Sequence, residues 1–341
     1  MPEDVSGSQL TEPNLAPNTH ARTSSLKRVA RVAVILVVVV AWGWFLVGQL
    51  ETLQGYAWQV APLSLLVGIV FAALYFAGLA IGWTLLLVYV GQHSVVVPLH
   101  KGARIWLVSM VTRYVPGNIW HILSRVALAD HLRVSKTRVL ASATIEQILT
   151  ILAALAVVIL TLPGWSSLLT NAQLGSTITI TLLLLPLGLL GMHPRIFGAL
   201  LMWISIRLKR PDIAWNYQYS TLLKILSVFV AANMCAGVSL AVVLSGITSI
   251  QLADLPLILG SAALAWVIGY LSFLTPSGLG VREGVLTALL VQVYPLPVAI
   301  VASLLFRIVS TLGELVAVFI SWVQGKCQKE TQLVDRHEIS S

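Results

Sequence analysis

The sequence predicts an all-α polytopic membrane protein with about six full spans and two re-entrant broken helical hairpins arranged in inverted repeats. Composition, long apolar runs and the placement of basic residues lead to this prediction. Of the 341 residues, 57% are hydrophobic and only 10% are charged, whereas soluble domains carry roughly 25% charge. A soluble core could not absorb so much apolar surface, so the chain is expected to lie in a membrane.

Six apolar runs are long enough to cross the hydrocarbon layer, which needs roughly 17–25 helical residues. The first 28 residues are polar and without periodicity, and they predict a disordered cytoplasmic tail. The run that follows is too long for a signal peptide and is expected to remain as an anchor. A second cytoplasmic tail is expected at 326–341. The six runs cover about 29–48, 63–90, 139–162, 174–192, 225–246 and 298–323.

Two further apolar stretches are interrupted and are expected to turn back within the membrane. The stretch 103–122 is broken by Arg113 and by Pro116-Gly117, and the stretch 257–294 is broken at 275–280. The part of the second stretch after its break, from Gly284 to Tyr294, is too short to cross again. Both stretches are therefore predicted to form re-entrant hairpins.

The basic residues give the orientation. With six spans and two re-entrant hairpins, 18 of the 21 Lys and Arg residues fall on one side of the membrane. The positive-inside rule makes that side cytoplasmic, so both termini are predicted to be cytoplasmic in a cell (plasma) membrane protein. The net charge of +8 is then explained without a nucleic-acid partner. The basic run from Arg125 to Arg138 belongs to this sorted set.

Similar features recur about 160 residues apart. Pro116 and Pro276 each follow an apolar stretch and begin a glycine-containing turn, and the segment ending at Glu146 aligns with the one ending at Arg307 at a spacing of 161. The repeat halves are about 63–162 and 221–323, within a transmembrane domain at 29–325. Under the predicted topology the two hairpins enter from opposite sides, as in many transporters.

Charged residues at membrane depth are the candidate functional residues, because such residues are costly in lipid and usually mark a functional site. Glu146 and Arg307 are expected at similar depth, roughly 10–14 Å into their helices. They either form a buried ion pair that holds the repeats together, or Arg307 binds an anionic head group for which Glu146 competes. Polar residues at helical spacing predict inward-facing stripes, comprising Ser142, Glu146 and Thr150 on one helix and Ser303, Arg307, Ser310 and Glu314 on another.

The break in the second hairpin is followed by Arg282-Glu283 at the start of a short helix. A helix N-terminus presents free N–H groups, so Arg282 would hold a phosphate there. The alternative is that Glu283 caps its own helix and Arg282 extends outward to the interface. Arg113 leaves the same two possibilities open. His121 is expected to be a satisfied interfacial polar group rather than a ligand.

At these hairpins the chain resembles the transmembrane region of lysylphosphatidylglycerol synthases, a flippase-like family of integral membrane proteins. The first motif is Arg113-Tyr114-Val115-Pro116-Gly117 with Arg125 downstream, and the second is Thr275-Pro276-Ser277-Gly278-Leu279-Gly280-Val281-Arg282-Glu283. Only 18 residues follow Val323, so the resemblance implies the lipid-handling half without the aminoacyl-transferase domain. It implies movement of a phospholipid or polyprenyl-linked lipid between leaflets.

The head-group-binding residues expected from the charges and the resemblance lie on both hairpins and the helices after them. They are Arg113, Pro116, Gly117, Arg125, Glu146, Pro276, Gly278, Gly280, Arg282, Glu283, Arg307 and Glu314.

Hydrolase, metalloprotease and nucleotide-binding motifs are not found in the sequence, so we expect no enzyme activity, no cofactor and no metal. The expected partners are membrane lipids. The alternative function is a non-catalytic accessory subunit of a lipid- or glycan-modifying enzyme, with such an enzyme or a glycosyltransferase as partner.

Overall fold

The computed structural model divides the chain into two compact units, Met1–Phe45 and Leu46–Ser341. The residues it describes are 60–89, 96–114, 119–165, 218–272, 278 and 280–339, with side chains up to 324. All of them belong to the second unit, and their regular structure is helical. The cytoplasmic tail predicted at 1–28 and the spans predicted at 29–48 and 174–192 lie outside the described residues.

The first half contains four helices. They are α1 (Pro62–Tyr89), α2 (Leu99–Met110), α3 (Trp120–Ala127) and α4 (Lys136–Thr161). Short 3₁₀ turns extend α2 over Val111–Tyr114 and α4 over Leu162–Gly164. The Ser135 hydroxyl accepts a hydrogen bond from the Arg138 amide at 3.3 Å, which satisfies one of the free N–H groups at the start of α4.

The second half repeats this order of long, interrupted and long helices. Its helices are α5 (Tyr219–Ser245), α6 (Leu255–Leu271), α7 (Val281–Leu290) and α8 (Leu296–Ile339). A 3₁₀ turn at Leu252–Asp254 leads into α6, and α8 continues through most of the segment predicted as a C-terminal tail.

Five helices in the described residues are long and apolar enough to cross a membrane. They are Pro62–Tyr89, Lys136–Gly164, Tyr219–Ser245, Leu252–Leu271 and Leu296–Gln324. Four of these match predicted spans, which confirms a helical, multi-pass character. The fifth lies in a stretch that was predicted to be one arm of a hairpin, so length and composition alone would also allow it to cross.

Contacts between α6 and α7 show that this stretch folds back on itself. The Tyr294 hydroxyl, after α7, donates a hydrogen bond to Asp254 Oδ2, before α6, at 2.9 Å. At the other end, a Cβ on Gly269 would lie 3.0 Å from Cβ of Arg282. Burial, and then the hydrogen bond to Asp254, raises the pKa of the Tyr294 phenol, which keeps it protonated as the donor. The two helices therefore run antiparallel, with α7 as the shorter arm.

In the first interrupted stretch, described helical segments lie on either side of residues 115–118. α2 passes into the 3₁₀ turn that carries Arg113, and α3 begins at Trp120. Pro116 and Gly117 lie between these elements, outside the described residues.

Small residues allow the long helices to approach closely, as in other membrane bundles. The Ser239 hydroxyl on α5 donates to the Gly68 carbonyl on α1 at 2.8 Å. A Cβ on Gly313 of α8 would lie 2.5 Å from Cβ of Ala72 on α1. Through these contacts α1 packs against both α5 and α8 and joins the two halves.

The polar stripes face the protein interior, as predicted. Glu146 and Glu314 are each only 2% exposed, although both lie in helical segments apolar enough to cross a membrane. The other members are also buried, namely Ser142, Thr150, Ser303, Arg307 and Ser310.

Candidate functional site

A cavity of about 70 Å³ lies between the two hairpins and α4. A water molecule needs roughly 10–15 Å³ measured in this way, so the cavity has room for several. The residues that line it come from α1, α2, α3, α4, α6, α7 and the 3₁₀ turn after α2. Its polar and aromatic lining residues are Trp106, Arg113, His121, Glu146, Gln147, Thr150, Trp266, Tyr270 and Arg282.

Glu146 on α4 forms an ion pair with Arg125 on α3. Its Oε2 contacts Arg125 Nη1, and its Oε1 accepts a hydrogen bond from Trp106 Nε1 at 2.5 Å. The predicted Glu146–Arg307 pair is therefore wrong, because each of these residues is paired within its own half. Both carboxylate oxygens of Glu146 are occupied by donors from the first hairpin, which fixes the side chain at the cavity wall.

Arg125 is completely buried, which corrects its assignment to the surface basic residues sorted by the positive-inside rule. Its guanidinium lies 5.2 Å from the centre of the Trp83 ring and 5.6 Å from that of Trp106, within the range of cation–π attraction. Two of its nitrogens, Nε and Nη2, have no hydrogen-bond partner among the described residues. The aromatic faces and Glu146 together stabilise a charge that would otherwise be costly to bury.

Arg113 connects the first hairpin to the second half. Its Nη2 lies 2.6 Å from Oε2 of Glu314 on α8, and its guanidinium lies 5.3 Å from the centre of the Phe76 ring. Glu314 is buried, whereas the Arg113 side chain is 19% exposed. Arg113 is thus both an ion-pair partner and a residue of the cavity wall.

Glu283 caps its own helix, as one of the two sequence alternatives proposed. Its Oε2 accepts a hydrogen bond from the Gly280 amide at 2.7 Å, and its Oε1 lies 3.6 Å from Arg307 Nε on α8. The second half therefore contains an Arg–Glu pair between its short helix and the long helix that follows. The first half has the same arrangement with the charges exchanged, since Arg125 is on its short helix and Glu146 on its long one.

Arg282 lies in the cavity wall and does not follow the outward course that was the alternative prediction. Its guanidinium lies 5.4 Å from the centre of the Phe306 ring. Within the described residues, no carboxylate lies within ion-pair distance of it. It differs in this respect from Arg113, Arg125 and Arg307.

The turn between α6 and α7 requires glycine at two described positions. Gly278 has φ of +69° and Gly280 has φ of +82°, a region that side-chain-bearing residues rarely adopt. A Cβ on Gly278 would also lie 2.7 Å from the Gly269 carbonyl oxygen, whereas one on Gly280 would meet nothing within 4 Å. Pro276, the predicted partner of these glycines, lies outside the described residues.

Sequence reasoning missed the aromatic and amide part of the wall. The Trp266 and Tyr270 rings stack with centroids 5.1 Å apart, and the Tyr270 hydroxyl donates to Gln147 Oε1 at 2.8 Å. His121 is only 5% exposed, and its Nδ1 has no hydrogen-bond partner among the described residues, so it is not the satisfied polar group that was expected. Trp266 and Tyr270 are four residues apart on α6, and this spacing could have indicated that both rings share one helix face.

In the part of the chain that the structure describes, no three His, Cys, Asp or Glu side chains are placed to hold a metal ion. Comparisons with protein-family models, curated proteins and solved structures found no match to this chain.

Proposed function

We propose that this protein is a lipid translocase that moves an anionic phospholipid or polyprenyl-linked lipid between leaflets. The observation that carries the proposal is the charged cavity whose walls come from both hairpins. A lipid head group needs polar surroundings inside hydrocarbon, because transferring an unpaired charge into an apolar medium is very costly. The acyl chains have no such need and remain in the bilayer beside the helices.

The helix breaks support this proposal. Interrupted helices inside a membrane are tolerated where protein or a water-filled cavity satisfies their free backbone groups. Small-molecule sites commonly measure roughly 300–1,000 Å³, so a cavity of about 70 Å³ must widen to pass a head group. We infer that the hairpins move apart during transport, with the glycine turn between α6 and α7 as one hinge.

The repeated order of helices, together with the exchanged Arg–Glu pairs, supports two related halves. Their inverted orientation is part of the proposal, because such halves rock against each other in many transporters. The resemblance to the flippase-like membrane region of lysylphosphatidylglycerol synthases points to the same function. The head-group-binding roles that this resemblance implies for the hairpin residues are part of the same proposal.

The test compares two threonines on α4 in a leaflet-resolved assay with purified protein in liposomes. Thr150 lines the cavity, and its hydroxyl donates to the Glu146 carbonyl at 2.8 Å. Thr144 is exposed, and its hydroxyl donates to the Leu140 carbonyl at 3.0 Å. Thr150→Phe fills the cavity and is expected to slow head-group movement by at least about tenfold, equivalent to about 1.4 kcal/mol. Thr144→Phe faces lipid and is expected to leave the rate unchanged.

The proposal is wrong if the wild-type protein moves no lipid faster than empty liposomes do, with or without an ion gradient. It is equally wrong if the two variants have the same rate. A stable complex with a lipid- or glycan-modifying enzyme, without movement of lipid by the pure protein, would favour the accessory-subunit function instead.

A further inference from the structure

The charges in the interior and the cavity wall of the described bundle do not balance. Four arginines and three glutamates lie in its interior or in the cavity wall. Each carboxylate has a guanidinium within ion-pair distance, in the pairs Arg113–Glu314, Arg125–Glu146 and Arg307–Glu283. Arg282 is the cation left over. With all seven groups ionised, this region has one positive charge in excess.

An excess charge at this place is energetically unfavourable in the absence of a ligand. Arg282 contacts the face of Phe306 at 5.4 Å, and cation–π attraction of this kind contributes only about 0.5–2 kcal/mol. A single arginine at the centre of a bilayer costs about 2.5–3.5 kcal/mol even on the lenient insertion scale. A bound anion would remove the imbalance.

Neutral polar groups that line the cavity with Arg282 also lack hydrogen-bond partners among the described residues. The Gln147 carbonyl oxygen accepts from Tyr270, which leaves its amide NH₂ as a donor at the cavity. The buried His121 Nδ1, on the opposite hairpin, has no hydrogen-bond partner among the described residues, and it donates in the tautomer that carries the proton on Nδ1. Both residues line the cavity together with Arg282. Oxygen atoms that carry negative charge are the natural acceptors for guanidinium, amide and imidazole N–H groups.

We propose that Arg282, with Gln147 and His121, binds one singly charged phosphodiester anion. This inference rests on the proposed translocase function and narrows its substrate to head groups with a net charge of −1. A single negative charge neutralises the excess. A second one, as on a phosphomonoester, would remain uncompensated or would have to displace a glutamate from its arginine. A zwitterionic head group adds no net charge and leaves the imbalance in place.

The test measures binding with the full-length protein, delipidated in detergent, and three lipids with the same acyl chains. Phosphatidylglycerol carries one negative charge, phosphatidylcholine is zwitterionic, and phosphatidic acid, a phosphomonoester, approaches two negative charges as the pH rises through its second ionisation. At pH 8, phosphatidylglycerol is expected to bind at least tenfold more tightly than either of the others. Lowering the pH to 5.5 is expected to bring the affinity for phosphatidic acid closer to the affinity for phosphatidylglycerol. The affinity for phosphatidylglycerol is measured at each pH as the reference.

Three variants separate the site from non-specific attraction. Arg282→Gln is expected to abolish the preference for phosphatidylglycerol over phosphatidylcholine, and Arg282→Lys to retain it. Lys101→Gln, at an exposed position of α2, removes the same charge at a residue that does not line the cavity and is expected to retain the preference. Because Arg282 has no carboxylate partner in the described bundle, Arg282→Gln is expected to keep or raise the Tm of the lipid-free protein, which shows that it folds.

Dimethyl phosphate, a soluble phosphodiester, distinguishes the two sources of the anion. If dimethyl phosphate raises the Tm of wild type but not of Arg282→Gln, the site accepts the free anion. If only phosphatidylglycerol raises the Tm of wild type in this way, the acyl chains are also required. Equal affinity for all three lipids, tighter binding of doubly charged phosphatidic acid, or a preference that survives in Arg282→Gln would overturn the inference. Translocation without charge preference would overturn it and leave the proposed function standing. Charge-selective binding without translocation would support this inference about the anion site and overturn the proposed function.

Discussion

Three arginines in and around the cavity wall differ in the carboxylates and aromatic rings that lie next to them. Arg125 has Glu146 and two tryptophans, Arg113 has Glu314 and Phe76, and Arg282 has Phe306. An aromatic face attracts a cation without supplying a negative charge. The aromatic contacts therefore hold the guanidinium groups in place. A guanidinium without a carboxylate next to it keeps an uncompensated positive charge that an anion can neutralise.

The pair Arg125–Glu146 is expected to be strongly coupled. Removing one member of a buried pair leaves an uncompensated charge and typically costs about 3–5 kcal/mol, whereas replacing both members by apolar residues is often nearly neutral. Arg125→Met and Glu146→Met should each lower the free energy of unfolding by this amount. The free energy of unfolding should fall less in the double variant than in either single variant, as measured by denaturant unfolding in detergent.

The exposed pair Lys136–Asp130 provides the control for this cycle. Its atoms are 3.6 Å apart and its side chains are 61% and 75% exposed, so a coupling of about 0–1 kcal/mol is expected. Additive effects of the two substitutions at Arg125 and Glu146, similar to those of the surface pair, would contradict a coupled buried pair.

Most of these charged residues were predictable from sequence, but their partners were not. A charge within an apolar run is conspicuous, and helical spacing correctly indicated that Glu146, Arg307 and Glu314 face inward. Depth along a helix, however, does not specify which neighbour a side chain meets. Arg125 was misassigned because it lies at the start of a basic segment, and only the packing of α1 and α2 around it shows that it is buried.

At the level of elements, the turn between α6 and α7 determines where Arg282 and Glu283 are placed. The Glu283 carboxylate accepts from the Gly280 amide, and Gly278 passes close to the backbone of α6 at Gly269. The end of α6 and the beginning of α7 are therefore in contact. A shift of this turn would move both charged residues relative to the cavity.

Alanine at the two turn glycines is expected to have different effects. Both substitutions place a side chain at positive φ, which costs about 1–2 kcal/mol. Gly278→Ala also brings Cβ to 2.7 Å from the Gly269 carbonyl oxygen, whereas Gly280→Ala meets nothing within 4 Å. The Tm in detergent should fall clearly further for Gly278→Ala, because backbone atoms must move. Equal losses for the two variants would show that the close approach to α6 does not constrain the turn.

The hairpins themselves were predictable because proline, glycine and charge interrupt otherwise apolar runs. Whether α6 crosses the membrane could not be predicted from its length. A 20-residue helical segment at Leu252–Leu271 is long enough for a crossing helix as well as for a deep hairpin arm. The hydrogen bond from Tyr294 to Asp254 shows that the two ends of this stretch lie together, and it joins residues 40 positions apart that no local pattern connects.

At the scale of the whole molecule, the hairpin constrains which of its flanking segments share a side of the membrane. Because Tyr294 contacts Asp254, the segments before α6 and after α7 must lie on the same face of the bundle. The charge distribution further predicts that this face is extracellular, opposite to the loop before α4. The two statements are separable, since the first depends on geometry and the second on the positive-inside rule.

Single cysteines in a background of Cys235→Ala and Cys327→Ala test both statements with a membrane-impermeant maleimide on intact cells. Leu252→Cys and Gln292→Cys, at exposed positions on either side of the hairpin, are expected to be labelled from outside. Lys136→Cys, exposed at the start of α4, should be labelled only after the membrane is permeabilised. Labelling of Leu252→Cys and Gln292→Cys from opposite sides would mean that the α6–α7 stretch crosses the bilayer, and it would reverse the predicted location of the C-terminus. Labelling of both only after permeabilisation would instead preserve the hairpin and invert the whole protein.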